Sequence, residues 1–291
     1  MNFFNLRAFG LACVGTSLLV SAQARVLTQM DGKDNIVIEN DWDIKDDNRT
    51  IRKDTFRNAR GKKPVLKSQG GRRNVVLYDH YPANASGSDR VEHYYIPRNQ
   101  SRFTRRFMRY SFRLPGNFGN VDKWHLMYQL KQNRSAYPMI AIGIQKGSSN
   151  KLEVRFRNHR YSRVDERNGK LSQSGKFYEE SKVRTVSKDT WYDVLVKYER
   201  GRNNEAVVWL KKSSERTWQN KHMVHRRKGA IGYDNNQVGR PGAWRNQPDK
   251  DTMNCRIGLY QAVAPQRHSF YIDNVRVGEN WSDVANWNPS N

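Results

Sequence analysis

Period-two alternation of apolar and polar side chains, repeated in one segment after another, is the feature that most narrows what this chain can fold into. Residues 74–80 are β-branched and aromatic, and residues 106–113 alternate bulky apolar with basic side chains until Leu114, Pro115 and Gly116 stop the pattern. Leu152, Val154 and Phe156 alternate with Glu153, Arg155 and Arg157, and residues 138–145, 191–199, 206–210, 255–262 and 269–277 also read as strands. In 123–132 the alternation sets Trp124, Leu126, Tyr128 and Leu130 on a core face and His125, Met127, Gln129 and Lys131 on the other. Clusters of Gly, Asn, Ser and Pro separate these segments, and no long 3.6-residue stripe interrupts them. The pattern predicts an all-β protein, a two-sheet antiparallel β-sandwich of the jelly-roll type. Nothing in composition divides residues 25–291, so a single domain is expected, with long loops at 165–187 and 228–250 and a surface wrap at 41–63.

The first residues belong to a different grammar. Arg7 precedes an apolar run at 8–20, and Ala22-Gln23-Ala24 offers a small-x-small cleavage site, so residues 1–24 read as a signal peptide and the product as secreted or periplasmic. That run is shorter than the roughly 20 residues a membrane-spanning helix needs, and no membrane partner is expected. Beyond it Cys255 is the sole cysteine, which excludes an intrachain disulfide and a CxxC metal site.

Charge then narrows the partner. With 52 Lys and Arg against 28 Asp and Glu, the formal net charge is +24, while 36% hydrophobic residues suffice for a packed core and argue against disorder. One arginine on a strand is ordinary solvated surface. Many together, including Arg102, Arg105, Arg106, Arg109, Arg113, Arg155, Arg157 and Arg160, form a basic wall whose planar guanidinium groups match carboxylates. For an exported protein this points to an anionic polysaccharide rather than nucleic acid, bound by a monomer. No HExxH or phosphate-loop motif is present, which argues against metalloprotease and nucleotide chemistry.

Three short elements carry a resemblance. Arg90-Val91-Glu92-His93 falls in an early strand, Tyr128-Gln129-Leu130-Lys131 in a middle one, and Arg256-Ile257-Gly258-Leu259-Tyr260-Gln261 in a late one. In order and spacing they resemble the jelly-roll polysaccharide lyases, whose alginate lyase branch carries RxExR, QxH and a KxGxYxQ-like strand, with looser forms in the glucuronan and heparin lyase branches. Trp191-Tyr192-Asp193-Val194, Val207-Val208-Trp209-Leu210 and Tyr271-Ile272-Asp273-Asn274-Val275 are similar to later strands of the glucuronan lyase group.

The resemblance implies β-elimination on a uronic-acid-containing polysaccharide. The C5 proton of a uronate is weakly acidic, so a donor must hold the carboxylate and stabilise the enolate-like charge, a part the resemblance gives to Gln129 and Arg90. A base must take the proton and an acid must protonate the leaving oxygen; Tyr260 is the expected acid and a candidate base. The histidine of QxH is replaced by Lys131, which moves the base to a histidine elsewhere, with His80 ranked ahead of His93. Glu92 is expected to orient Arg90 by an ion pair, and Lys131, Glu92, Arg155, Arg157, Arg256 and Trp244 to contact substrate. The chemistry requires no cofactor. Asp273, Glu39 and Asp41 are candidate ligands for a structural calcium, of the kind similar jelly rolls hold. Three alternatives stand beside the lyase: a non-catalytic lectin for anionic glycans, a glycoside hydrolase on the same fold, which lacks its usual ExDxxE strand, and a nuclease.

Overall fold

The computed structural model describes residues 26–30, 37–38, 44–46, 49–51, 65–80, 88–95, 105–121, 124–132, 138–145, 149–159, 161–164, 171–173, 178–199, 205–228, 232–233, 253–262 and 266–285. The expected leader at 1–24 and Glu39, Asp41 and Trp244 lie outside these residues, and so do the side chains of His80, Arg90, His93, Lys131 and Arg157.

In chain order the strands are β1 (Val26–Met30), β2 (Val37–Ile38), β3 (Ile44–Asp46), β4 (Arg49–Ile51), β5 (Val65–Gln69), β6 (Arg72–His80), β7 (Ser88–Tyr95), β8 (Arg105–Arg113), β9 (His125–Gln132) and β10 (Ile140–Ile144). They continue as β11 (Lys151–His159), β12 (Tyr161–Val164), β13 (Leu171–Gln173), β14 (Tyr178–Thr185), β15 (Trp191–Glu199), β16 (Glu205–Lys212), β17 (Met223–Lys228), β18 (Gly232–Tyr233), β19 (Met253–Ala262) and β20 (His268–Gly278), with a 3-10 turn at Asn220–His222 and a short α-helix, α1 (Trp281–Ala285). An eight-stranded sheet runs β17-β16-β15-β8-β20-β6-β5 with β1 on β20, and a seven-stranded sheet runs β14-β11-β10-β9-β19-β7 with β18 on β11. Apart from the parallel β18–β11 contact, the strand pairs within both sheets are antiparallel. This is the all-β sandwich the alternation predicts.

Alternation explains which faces meet. Met108, Tyr110 and Phe112 of β8 and Tyr192, Val194 and Val196 of β15 point inward against Ile140, Ile142, Leu152, Val154, Ile257 and Leu259 of the facing sheet, all of them buried. Aromatic pairs fill the gap between sheets. Tyr110 stacks on Tyr128 at 5.9 Å between centroids, and within the eight-stranded sheet Tyr78 stacks on Phe270 at 5.4 Å and Phe112 on Tyr192 at 5.6 Å. The Tyr110 hydroxyl is fully buried and meets no hydrogen-bond partner among the described residues, and desolvation drives its pKa well above the usual phenol value.

All three segments expected as loop or wrap contain strands. The stretch 165–187 holds β13 and β14, 41–63 holds β3 and β4, and 228–250 holds β18. Tyr-Glu-Glu-Ser-Lys-Val-Arg-Thr in β14 shows no apolar alternation because it is a sheet edge, where polar and charged side chains are the rule. It is also tied across the sandwich: Glu180 meets Nε2 of His225 at 3.1 Å and Nη1 of Arg227 at 3.1 Å, both on β17 of the opposite sheet.

The outer face of the eight-stranded sheet is closed by a second, smaller core. Phe107, Leu195 and Val284 are buried there with Trp209, Trp218, Trp281 and Ala285 packed around them, which seats α1 on the sheet. Beneath lies a polar row across four strands, with Asp273 of β20 opposite Ser111, Ser111 opposite Asp193, and Asp193 opposite Lys211. Asp193 accepts from Arg109 Nη2 at 2.9 Å, Lys211 Nζ at 2.9 Å, Ser111 Oγ at 2.7 Å and Ser213 Oγ at 2.6 Å. Burial alone would raise its pKa, but Arg109 and Lys211, helped by the two hydroxyls, hold it at about 2. Among the described residues no helix is long and apolar enough to cross a membrane.

Candidate active site

The outer face of the seven-stranded sheet is built differently. Cys255, Ile257 and Leu259 of β19 turn into the core, which sends Arg256, Gly258 and Tyr260 outward; Tyr128 and Leu130 of β9 turn inward, which sends Gln129 outward. The ladder lines Arg155 of β11, Ala141 of β10, Gln129 of β9 and Arg256 of β19 in one row. One step along β19, Gly258 pairs with Glu92 of β7, and one step further Tyr260 pairs with Arg90. The three motifs of the sequence therefore lie on three adjacent strands, β9, β19 and β7.

At the centre is a buried polar group of three. Nε2–H of Gln129 donates to Oε1 of Glu92, and Nη1 of Arg256 lies 3.8 Å from Oε2 of the same carboxylate. Gln129 is 1% exposed, Glu92 2% and Arg256 7%, so the carboxylate holds the amide in one orientation from below, balanced by the guanidinium. Arg155 stands two strands away, partly exposed, with Nε 2.6 Å from Oε1 of Glu153 on its own strand. The Cys255 thiol faces inward, and burial pushes its pKa up to about 11, which removes it as a nucleophile.

A β-bulge corrects the alternation read from 123–132. Ile142 pairs with Tyr128 but Gly143 pairs with Leu126, so Met127 is an extra residue on β9, and both Met127 and Tyr128 turn into the core. Everything before Met127 changes face. His125, expected outside, is buried against Phe118, Phe270 and His268, at 5.6, 6.0 and 5.4 Å between centroids. Trp124, expected in the core, is 38% exposed and stands edge-on to Tyr260 at 4.7 Å with 71° between the rings. The bulge requires Gly143, since a Cβ there would lie 2.0 Å from the His125 carbonyl oxygen. On the facing strand Gly258 adopts φ 146°, open to glycine and strained for other residues.

The two candidate histidines are separated. His93 pairs with Ile257 on the Tyr260 strand, whereas His80 ends β6 and pairs with His268 in the opposite sheet. His268 is buried, with Nδ1 3.0 Å from Gln261 Oε1 and Nε2 3.1 Å from the Asn120 carbonyl. Reversing the Gln261 amide lets its Nε2–H donate to the neutral ring and gives a partner to an otherwise unpartnered nitrogen. Lys131 pairs with Asn254, and Arg157 with Glu179.

Asp273, the described member of the expected calcium set, is ion-paired with Arg72 at 3.0 Å, and burial raises its pKa. The Arg72 guanidinium thus occupies one oxygen of that carboxylate, and no cluster of three or more His, Cys, Asp or Glu occurs among the described residues.

Comparison with known proteins agrees with this architecture. An endo-β-1,4-glucuronan lyase from the fungus Trichoderma reesei superposes with a TM-score of 0.61 at 17% identity, over 90% of this chain and 99% of that one. Alginate lyases from a Chlorella virus and from Pseudomonas aeruginosa align with TM-scores of 0.43 and 0.41, at 12% and 10% identity, over 75% and 71% of this chain and 90% and 83% of theirs. No curated protein matches by sequence. The polysaccharide lyase family model matches residues 29–276, nearly the whole chain, and the protein therefore belongs to the polysaccharide lyases.

Proposed function

We propose that this lyase cleaves a polyuronate by β-elimination on the outer face of the seven-stranded sheet, with a β-1,4-linked glucuronan as the substrate of first choice. The observation that carries the reading is the juxtaposition on β9, β19 and β7: a glutamine amide fixed by a buried carboxylate, with a tyrosine two ladder steps away along β19. Glucuronan is favoured by the likeness to the Trichoderma reesei enzyme and by the +24 charge, which suits a polymer bearing a carboxylate on every sugar.

In this reading the second N–H of the Gln129 amide and the Arg90 guanidinium take the uronate carboxylate, which acidifies the C5 proton. Glu92 and Arg256 do not meet the sugar; they position the amide. Tyr260 protonates the glycosidic oxygen as it departs from C4, so the upstream fragment leaves with a free C1 hydroxyl and the C4–C5 double bond stays on the new non-reducing end of the downstream fragment. The base is Tyr260 itself or His93, which shares the sheet; His80 would have to act from the opposite one. Arg155 holds a carboxylate further along the polymer, joined by Arg157 of the same strand and Lys131 of β9. Export through the 1–24 leader places the enzyme where such polymers occur.

The test is ultraviolet absorbance of the unsaturated product during incubation with glucuronan, alginate and a heparin-type glycosaminoglycan. Glucuronan is expected to give the fastest rise. A protein that retains its fold and releases no unsaturated uronide from any of the three contradicts the proposal.

A further inference from the structure

We propose that Trp124 forms an aromatic subsite of the lyase groove, a platform for the apolar face of a pyranose ring next to the sugar on which Tyr260 acts. The inference rests on the functional reading above and assigns a substrate-binding residue that the sequence placed in the core. Among the described residues the exposed large hydrophobic side chains are Val65, Trp124 and Met223. Val65 and Met223 begin β5 and β17 of the other sheet, so Trp124 alone lies on the face that carries Gln129 and Tyr260.

Its position is built into the fold. The extra residue at Met127 turns it outward, Gly143 makes room for the bulge, and its carbonyl accepts from the Ala262 amide at 3.2 Å, fastening it to the strand that bears Tyr260. Without a ligand, this exposure leaves apolar surface in water at a cost of about 25 cal/mol for each Å². Tyr260 takes only an edge-on contact, and more than a third of the indole remains open to solvent. A sugar presents a C–H face ringed by hydroxyl and carboxylate groups. An indole beside a phenol, with guanidinium groups along the same sheet, complements that pattern as an apolar surface with few polar groups at its rim.

The experiment measures binding of a glucuronan oligomer by isothermal titration in a Tyr260→Phe background, where turnover does not consume the probe, together with kcat and KM of the single variants. Trp124→Ala is expected to weaken binding about tenfold and to raise KM by a similar factor, whereas Trp124→Phe, which keeps a ring, stays within about threefold. Thermal unfolding of both variants is expected to match the parent, because the side chain lies outside the core. If the wild-type chain cleaves glucuronan and Trp124→Ala binds it within about twofold of the parent, the subsite is refuted while the lyase reading stands. If the wild-type chain neither binds nor cleaves any polyuronate, the lyase reading fails and the subsite fails with it.

Discussion

The two sheets each turn a polar face away from the common core, and they treat it in opposite ways. On the eight-stranded sheet Asp193, Arg109, Lys211 and Ser111 satisfy one another, and Trp218 lies over the two cations at 6.0 Å and 5.0 Å from its ring. On the seven-stranded sheet the buried group of Gln129, Glu92 and Arg256 adjoins a half-buried Tyr260 and an exposed Trp124. Charge density alone therefore does not mark a functional face of this sandwich. What sets the seven-stranded sheet apart is a buried polar group that adjoins exposed aromatic surface, with Trp124 38% exposed beside Tyr260.

That contrast is breakable. The largest effect is expected at Tyr260→Phe, which should lower kcat by about 10²- to 10⁴-fold with little change in unfolding midpoint or polymer affinity, followed by product absorbance and calorimetry. A variant that keeps near-parental turnover would remove the chemistry from this face. Asp193→Ala tests the other one. Leaving Arg109 and Lys211 buried without their carboxylate should cost about 3–5 kcal/mol in urea unfolding, with normal turnover per folded molecule.

The closed face should also report pH. Because the Asp193 pKa falls from 3.8 to about 2 on folding, its contribution is complete above pH 3.8 and disappears as pH drops through about 2. Linkage puts it at about 2 kcal/mol, visible as an acid slope in wild-type unfolding free energy that Asp193→Asn lacks. Asp273 acts with the opposite sign. Its raised pKa gives a contribution present below pH 3.8 and lost as pH rises through the raised value, so Asp273→Asn should remove a fall in stability above pH 3.8 and leave the Asp193 acid slope in place. The smallest effect is expected in the shared core, where Tyr110→Phe deletes a buried hydroxyl without a partner and should be neutral or stabilising by up to about 1 kcal/mol in thermal unfolding.

Much of this was legible in the sequence. Core-facing strands such as β8, β15 and β19 announce themselves because one face is apolar, and the three family motifs fall on neighbouring strands as the resemblance implies. The edge strand β14 was not legible, because an edge has no need of alternating hydrophobes. Trp124 was missed for a sharper reason. Strict alternation across 123–132 passes over Leu126-Met127-Tyr128, three consecutive large apolar residues, and such a run within an otherwise alternating strand is the trace a bulge leaves. Nor did the sequence show that Glu92 holds Gln129, since pairing across strands depends on register, which a single chain does not display.

The bulge at Met127 has a consequence for comparing this chain with its relatives. A strand is written on two tracks, odd and even, and one additional residue moves everything upstream of it from one track to the other. A homologue lacking that residue would turn outward whatever stands in the place of His125 and would tuck away whatever stands in the place of Trp124. Insertions and deletions of a single residue here thus exchange one outward side chain for another without touching Gln129, so matching letters in an alignment need not mean matching surfaces.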